Sequence, residues 1–183
     1  MAHPDLTLRG ARVELASTRE EDLAALAALW NDGRVMAAVG FPEGLGYNAA
    51  RMAAWFDRLR DHPDRYHFVV RAAPLGFCGE AYAAVDRARG RASLDLKFTV
   101  EAQGKRLSRD ALSTMIRWVF AAQPDVAEVF TEPAVANLAA RTLYYSCGLR
   151  EAPRPADLHP APSYWVLRRD DWPAGSEGGA VAT

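Results

Sequence analysis

Residues 92–123, ASLDLKFTVEAQGKRLSRDALSTMIRWVFAAQ, carry the most informative pattern in this 183-residue chain. Apolar and polar side chains alternate in the first nine positions, which predicts a β-strand over 92–100. After a polar loop, apolar residues recur at helical spacing and predict a helix capped by Ser108. The buried face of this helix is predicted to hold Leu112, Met115, Ile116, Val119 and Phe120. A strand that leads through a loop into a helix N-terminus is a typical anion-binding arrangement.

The loop at residues 101–108 is therefore predicted to bind an anion. Its backbone amides meet the helix N-terminus, where the macrodipole leaves about half a positive charge. Lys105, Arg106 and Arg109 add mobile positive charge, and phosphate is the expected guest. On this pattern alone, an ordinary polar loop with solvated basic side chains is the alternative interpretation.

The flanking sequence predicts an α/β domain with a mixed sheet. Gly10 interrupts the first alternating run, so residues 6–15 are expected to form a strand pair or a bent strand. Further strands are predicted over 66–72, 76–85, 126–135, 149–152 and 163–168. Further helices are predicted over 18–31, 48–62 and 137–147. Short turns should make the middle strands antiparallel, and the unit 92–135 should be a right-handed parallel crossover.

Local residue choices predict where these helices begin and end. Thr18 and Glu21 have the spacing of a capping box. Asn48 is expected to cap the second helix, and Gly148 should end the last one.

Composition limits the class of protein. Half of the residues are hydrophobic and the formal net charge is −1, so no global basic field favours nucleic-acid binding. The only cysteines, Cys78 and Cys147, exclude a disulfide framework and a Cys-x-x-Cys site, and the histidines lack metal-ligand spacing. The longest apolar run, 23–30, is too short to cross a membrane, and the first residues lack signal-peptide features. These features predict a cytoplasmic protein without a metal, and the bias towards arginine and alanine favours a bacterial genome.

Two motifs resemble those of the GCN5-related N-acetyltransferases. Residues 103–108, QGKRLS, are similar to the family's acetyl-CoA loop, Gln/Arg-x-x-Gly-x-Gly/Ala, but hold Arg106 and Ser108 where the family has small residues. Residues 137–149, NLAARTLYYSCGL, are similar to the family's Asn-x-x-Ala-x-x-Leu-Tyr-x-x-x-Gly-Phe stretch. The opening LRGARVEL over 8–15 resembles the ribosomal-protein alanine acetyltransferase branch.

The resemblance implies one N-acetyltransferase domain over residues 6–172, with acetyl-CoA as co-substrate. The acceptor would be a primary amine, on a protein N-terminus or a small molecule, that attacks the thioester without an acyl-enzyme. Backbone amides of Phe98, Thr99 and Val100 would bind the pantetheine arm. Asn137 would be a helix cap, a cofactor contact or both. The pyrophosphate would lie on Gln103, Gly104, Lys105, Arg106, Leu107, Ser108 and Arg109.

The resemblance also places Tyr144 beside the leaving thiolate as a general acid, because a phenol stays protonated at neutral pH. Without the resemblance, Tyr144 would be interpreted as a packing residue. The general base is open, since relatives often place a glutamate where this chain has Ser93. Asp95 and Glu80 are the candidates, and for Asp95 a surface pairing with Lys97 is the alternative.

The acceptor is expected to lie against the apolar loop 39–47, which contains one acid, Glu43. The second hypothesis is a non-catalytic member of the fold that binds a ligand or partner, suggested by Arg106, Ser108 and Ser93. The chain is expected to be a monomer or homodimer, and residues 173–183 are predicted to be a disordered tail.

Overall fold

An eight-stranded mixed sheet forms the centre of the computed structural model, which describes residues 5–173. The predicted tail lies outside the described residues except for Pro173. The strands are Thr7–Arg9 (β1), Glu14–Ser17 (β2), Arg65–Ala72 (β3), Gly76–Asp86 (β4), Arg91–Phe98 (β5), Glu128–Thr131 (β6), Arg150–Glu151 (β7) and Trp165–Arg168 (β8). Their order is β1-β2-β3-β4-β5-β6-β8-β7. Only the pair β5–β6 among these is parallel, which confirms that the predicted crossover joins parallel strands.

Helices cover both faces of the sheet. They are Leu23–Asn31 (α1), Gly33–Met36 (α2), Ala49–Arg60 (α3), Leu107–Ala122 (α4) and Leu138–Ser146 (α5). Alternation along β3 sends Phe68 and Val70 into one core cluster with α4, and Val69 into a second cluster with α1, α2 and α3. The predicted buried stripe of α4 is confirmed. Among the described residues, no helix is long and apolar enough to span a membrane.

Two predicted helix caps are wrong. The Asp22 carboxylate accepts from the Arg19 amide at 2.9 Å, so Arg19 and not Thr18 is the cap of the first helical turn, Glu20–Asp22. The Thr18 hydroxyl instead lies 2.7 Å from His67 Nδ1, a buried partner on β3. Ser108 lies inside the first turn of α4, because Arg106 precedes that helix in the left-handed conformation at φ 63°.

The other caps are confirmed. The Asn48 and Asn137 side chains accept from the amides three residues later at 2.9 and 3.1 Å. Gly148 follows α5 with φ 96°, a conformation that glycine adopts without steric cost. The short helix α2, which the sequence analysis did not predict, continues the chain after α1 because Asp32 caps it by accepting from Arg34 N.

Candidate active site

A cleft opens where β5 and β6 separate. The two strands pair only at Arg91–Glu128, Ala92–Val129 and Ser93–Phe130. Beyond these pairs β6 ends at Thr131, whereas β5 continues to Phe98, so both strands are shorter than predicted. The second half of β5 therefore pairs with β4 on one side only and leaves backbone groups facing the cleft.

The end of β5 shows which backbone groups face the cleft. The Thr99 amide donates to the Cys78 carbonyl on β4 at 2.9 Å. Because successive residues of a strand turn their amides to opposite sides, the Phe98 backbone faces away from β4. The Gln103 side chain donates to the Phe98 carbonyl at 3.1 Å and so ties the loop to the strand.

The loop that follows has the shape of an anion cradle. Gly104 and Arg106 both have positive φ, 72° and 63°. Among the described residues, Arg106 is the only residue other than glycine with a positive φ. Arg106 thus adopts the conformation that a glycine would adopt here. Leu107 is buried and anchors the start of α4, while Lys105, Arg106 and Arg109 are exposed.

The β1–β2 hairpin braces this loop, a feature that the sequence analysis missed. The Asp110 carboxylate accepts from three consecutive amides, Ala11 at 3.1 Å, Arg12 at 2.6 Å and Val13 at 3.1 Å. The Arg12 guanidinium donates to the Lys105 carbonyl at 2.8 Å. In the sequence, Gly10 is the residue that could have indicated this contact, because a Cβ at position 10 would lie 2.7 Å from an Asp110 oxygen.

Tyr144 lies on α5 and is buried, with 6% of its surface exposed. Burial, together with the nearby negative charge of Asp95, raises the pKa of its phenol above the usual range. No hydrogen bond among residues 5–173 uses its hydroxyl. Tyr144 is therefore a neutral donor whose hydroxyl has no partner within residues 5–173.

Glu80 lies at the centre of a buried polar cluster on β3, β4, β5 and α1. One carboxylate oxygen accepts from Trp30 Nε1 at 2.7 Å and contacts His67 Nε2 at 2.9 Å. The other lies 3.0 Å from Lys97 Nζ. Burial alone would raise the pKa of Glu80, but the hydrogen bond from His67 and the charge of Lys97 outweigh it and lower the pKa to about 2.

Asp95 lies two residues from Lys97 along β5, opposite Tyr82. Its carboxylate contacts Lys97 Nζ, and its side chain is 45% exposed. Lys97 thus bridges the two predicted base candidates, and their charges overcome the effect of burial and raise its pKa. The charge of Asp95 thus acts on the Tyr144 phenol, whereas both carboxylate oxygens of Glu80 are engaged by Trp30, His67 and Lys97.

The loop after α2 is held rigidly against α1. Asn31 makes two 2.7 Å hydrogen bonds to the Tyr47 backbone, and Leu45 N donates to the Trp30 carbonyl at 2.8 Å. The turn before this loop reaches α5, because Asn137 Nδ2 donates to the Ala38 carbonyl at 3.4 Å. Two sequence-predicted regions, the acceptor loop and the Asn137 cap, are therefore neighbours.

Within residues 5–173, no group of three or more His, Cys, Asp or Glu side chains could hold a metal ion. A family model described as an acetyltransferase (GNAT) domain matches residues 12–150. No curated protein matches the sequence.

Solved structures share the fold at low sequence identity. Spermidine N-acetyltransferase from Vibrio cholerae, in complex with CoA and spermine, has a TM-score of 0.75 at 16% identity, over 88% of this chain and 98% of that one. An aminoglycoside acetyltransferase in complex with coenzyme A has a TM-score of 0.73 at 19% identity, over 87% and 96%. A ribosomal L7/L12 α-N-protein acetyltransferase in complex with coenzyme A has a TM-score of 0.74 at 11% identity, over 90% and 99%.

Proposed function

Because the chain belongs to the GNAT acetyltransferase family, and is thus an N-acetyltransferase with acetyl-CoA as co-substrate, we propose that a primary amine attacks the thioester directly. The observation that carries the proposal is the cleft between β5 and β6, which opens next to the N-terminus of α4. Unpaired strand groups suit an amide-containing arm, and a helix N-terminus suits a pyrophosphate.

The cofactor arm would lie along the free side of β5. Phe98 and Val100 are proposed as its backbone partners. Thr99 has a structural role in this proposal, because its amide binds Cys78 and its carbonyl accepts from Ala102 and Gln103. Gln103 would orient the Phe98 carbonyl rather than contact phosphate through its side chain.

The pyrophosphate would lie on the backbone amides of residues 104–109, with Lys105, Arg106 and Arg109 supplying charge. The exposed guanidinium of Arg106 can reach a phosphate while its backbone keeps the glycine-like turn. The glycine-like turn at Arg106 supports the catalytic proposal over a non-catalytic binder. The loop keeps its shape although Arg106 and Ser108 stand where the family motif has small residues. Asn137 would cap α5 and contact the arm from the other side.

Tyr144 is proposed as the general acid that protonates the leaving thiolate. Its hydroxyl is neutral and has no partner among the described residues, so it can donate as the carbon–sulfur bond breaks. Asp95 is proposed as the base, directly or through a water, since it is half exposed and close enough to influence Tyr144. Glu80 is proposed to hold Lys97 and His67 in place, because a carboxylate with a pKa of about 2 is a weak base.

Acetyl-CoA binding provides the first test. A ligand at 100 times its dissociation constant stabilises a protein by about 2.7 kcal/mol, which corresponds to a rise in Tm of roughly 5–10 °C for a domain of this size. Arg106→Ala should reduce this shift, and Arg58→Ala, an exposed residue of α3, serves as the matched control. No shift with wild-type protein at millimolar CoA would contradict the proposal.

We further propose that residues 6–172 act as one catalytic unit in the cytoplasm of a bacterium. The two thiols, Cys78 and Cys147, are free and buried, which suits a reducing compartment. Size-exclusion chromatography with light scattering would determine whether the protein is a monomer or a homodimer.

A further inference from the structure

An exposed apolar patch lies where the segment that follows β6 meets the turn that follows α2. Six large hydrophobic side chains among the described residues are exposed, and four of them lie on the two segments that meet at the Ala38–Asn137 hydrogen bond. These four form what we call the apolar rim: Val39 (42% exposed), Phe41 (49%), Val135 (55%) and Leu138 (68%). Exposed apolar side chains that gather on two sides of one site indicate a binding surface.

The rim segments contribute few charged side chains of their own. The rim segments, residues 38–43 and 132–138, contain two carboxylates, Glu43 and Glu132. Glu132 is paired with Arg154, and Glu43 has no ion-pair partner among the described residues. Deeper in the site, Asp95 and Glu80 share Lys97. One carboxylate at the rim thus remains free to attract a cation.

We propose that the acceptor is a monocationic primary amine carried on an apolar group, such as the N-terminus of a hydrophobic amino-acid amide or peptide. This inference rests on the proposed function and narrows its substrate class. The free Glu43 would attract the single ammonium group towards the site, where Asp95 would accept its proton, and the apolar rim would bind the attached side chain. A polycationic amine would bring several charges to a surface with one free carboxylate, and its other ammonium groups would lie against apolar side chains.

The segment that carries Phe41 and Glu43 is preorganised for this role. Its far end is fixed by Asn31, and Arg51 donates to the Leu45 and Gly46 carbonyls at 3.1 and 3.0 Å. A Cβ at Gly33 would meet the Pro42 carbonyl oxygen at 2.0 Å, so the loop is packed directly on the start of α2. A preorganised apolar surface gains affinity because little ordering is needed on binding.

The test is thiol release from acetyl-CoA by the full chain with five amines: leucinamide, a tetrapeptide that begins with leucine, glucosamine, spermidine and kanamycin. We expect kcat/KM for leucinamide or the tetrapeptide to exceed that for the other three by at least about tenfold, the size expected of one apolar group in a pocket. The ratio of kcat/KM for leucinamide to kcat/KM for the tetrapeptide distinguishes a small-molecule acceptor from a protein N-terminus.

Phe41→Ser should lower kcat/KM for the preferred apolar amine by about tenfold with KM for acetyl-CoA unchanged. Leu75→Ser, at a residue that is 41% exposed outside the rim, should change neither value. Preference for spermidine, kanamycin or glucosamine, or an unaffected Phe41→Ser variant, overturns the inference while acetyl transfer stands. Acetylation of none of the five amines overturns both the inference and the proposed function.

Discussion

The contact between Asp110 and the β1–β2 hairpin allows a graded prediction. Asp110 accepts three amide hydrogen bonds, two through one oxygen and one through the other. Asp110→Asn keeps one acceptor oxygen and turns an NH₂ group towards an amide, so about one bond is lost. Asp110→Ala loses all three, and two of the freed amides, those of Ala11 and Arg12, are exposed and regain bonds to water.

The expected cost follows from these bonds. A hydrogen bond to a charged group contributes about 1.5–3 kcal/mol, and compensation by water at the exposed amides reduces that value. We therefore expect Asp110→Asn to lower the free energy of unfolding by about 1 kcal/mol and Asp110→Ala by about 2–3 kcal/mol. For 183 residues, the larger loss lowers Tm by roughly 5–10 °C.

Thermal and urea unfolding with CoA absent measure this effect, and Asp61→Asn, an exposed carboxylate at the end of α3, is the control. The same variants should raise KM for acetyl-CoA more than they lower kcat, because the hairpin also holds the Lys105 carbonyl through Arg12. If the Tm of Asp110→Ala lies within about 1 °C of wild type, the three hydrogen bonds make no net contribution to stability, and the proposed stabilising role of Asp110 is refuted.

Three further predictions concern the proposed site. Tyr144→Phe should lower kcat by about 10²–10⁴-fold with little change in CoA affinity, whereas a loss below threefold in steady-state kinetics would leave Tyr144 a packing residue. Arg106→Gly should raise stability by up to about 1 kcal/mol, because it relieves a positive φ, and should weaken CoA binding in calorimetry; tighter binding would show that the guanidinium does not hold phosphate. Glu80 has a pKa of about 2 in the folded protein, below its ordinary 4.5, so its charge stabilises the fold above pH 4.5 and this stabilisation is lost as the pH falls towards 2. Glu80→Gln should therefore cost about 3–5 kcal/mol at pH 7 and flatten the pH dependence of urea unfolding between pH 4.5 and 2, and an unchanged slope would contradict this account.

Patterns within single elements could be predicted from the sequence. The alternation in β5, the apolar stripe of α4 and the cap at Asn137 each depend on neighbours a few residues away. The same holds for the parallel crossover, which follows from a strand, a helix and a strand in succession. The structure confirms all four.

Contacts between distant segments could not be predicted in this way. Thr18 has the spacing of a helix cap, but its hydroxyl binds His67, 49 residues later. Asp110 gives no local sign that it binds a hairpin almost 100 residues earlier. The separation of Asp95 from the enclosed Glu80 depends on the register of β4 and β5 and on the approach of Trp30, which no periodicity encodes.

The half of β5 that faces the cleft is also an open edge strand inside the sheet, with a consequence for handling the protein. Unpaired strand groups are a template for pairing with another chain, and proteins often guard them with charged side chains. Here the charged side chains, Asp95 and Lys97, form an ion pair, and Lys97 also contacts Glu80, so neither charge is free to repel an incoming strand. A ligand that occupies this edge would remove the template, and so CoA in the storage buffer should slow aggregation of the concentrated protein by protecting β5 as well as by raising Tm.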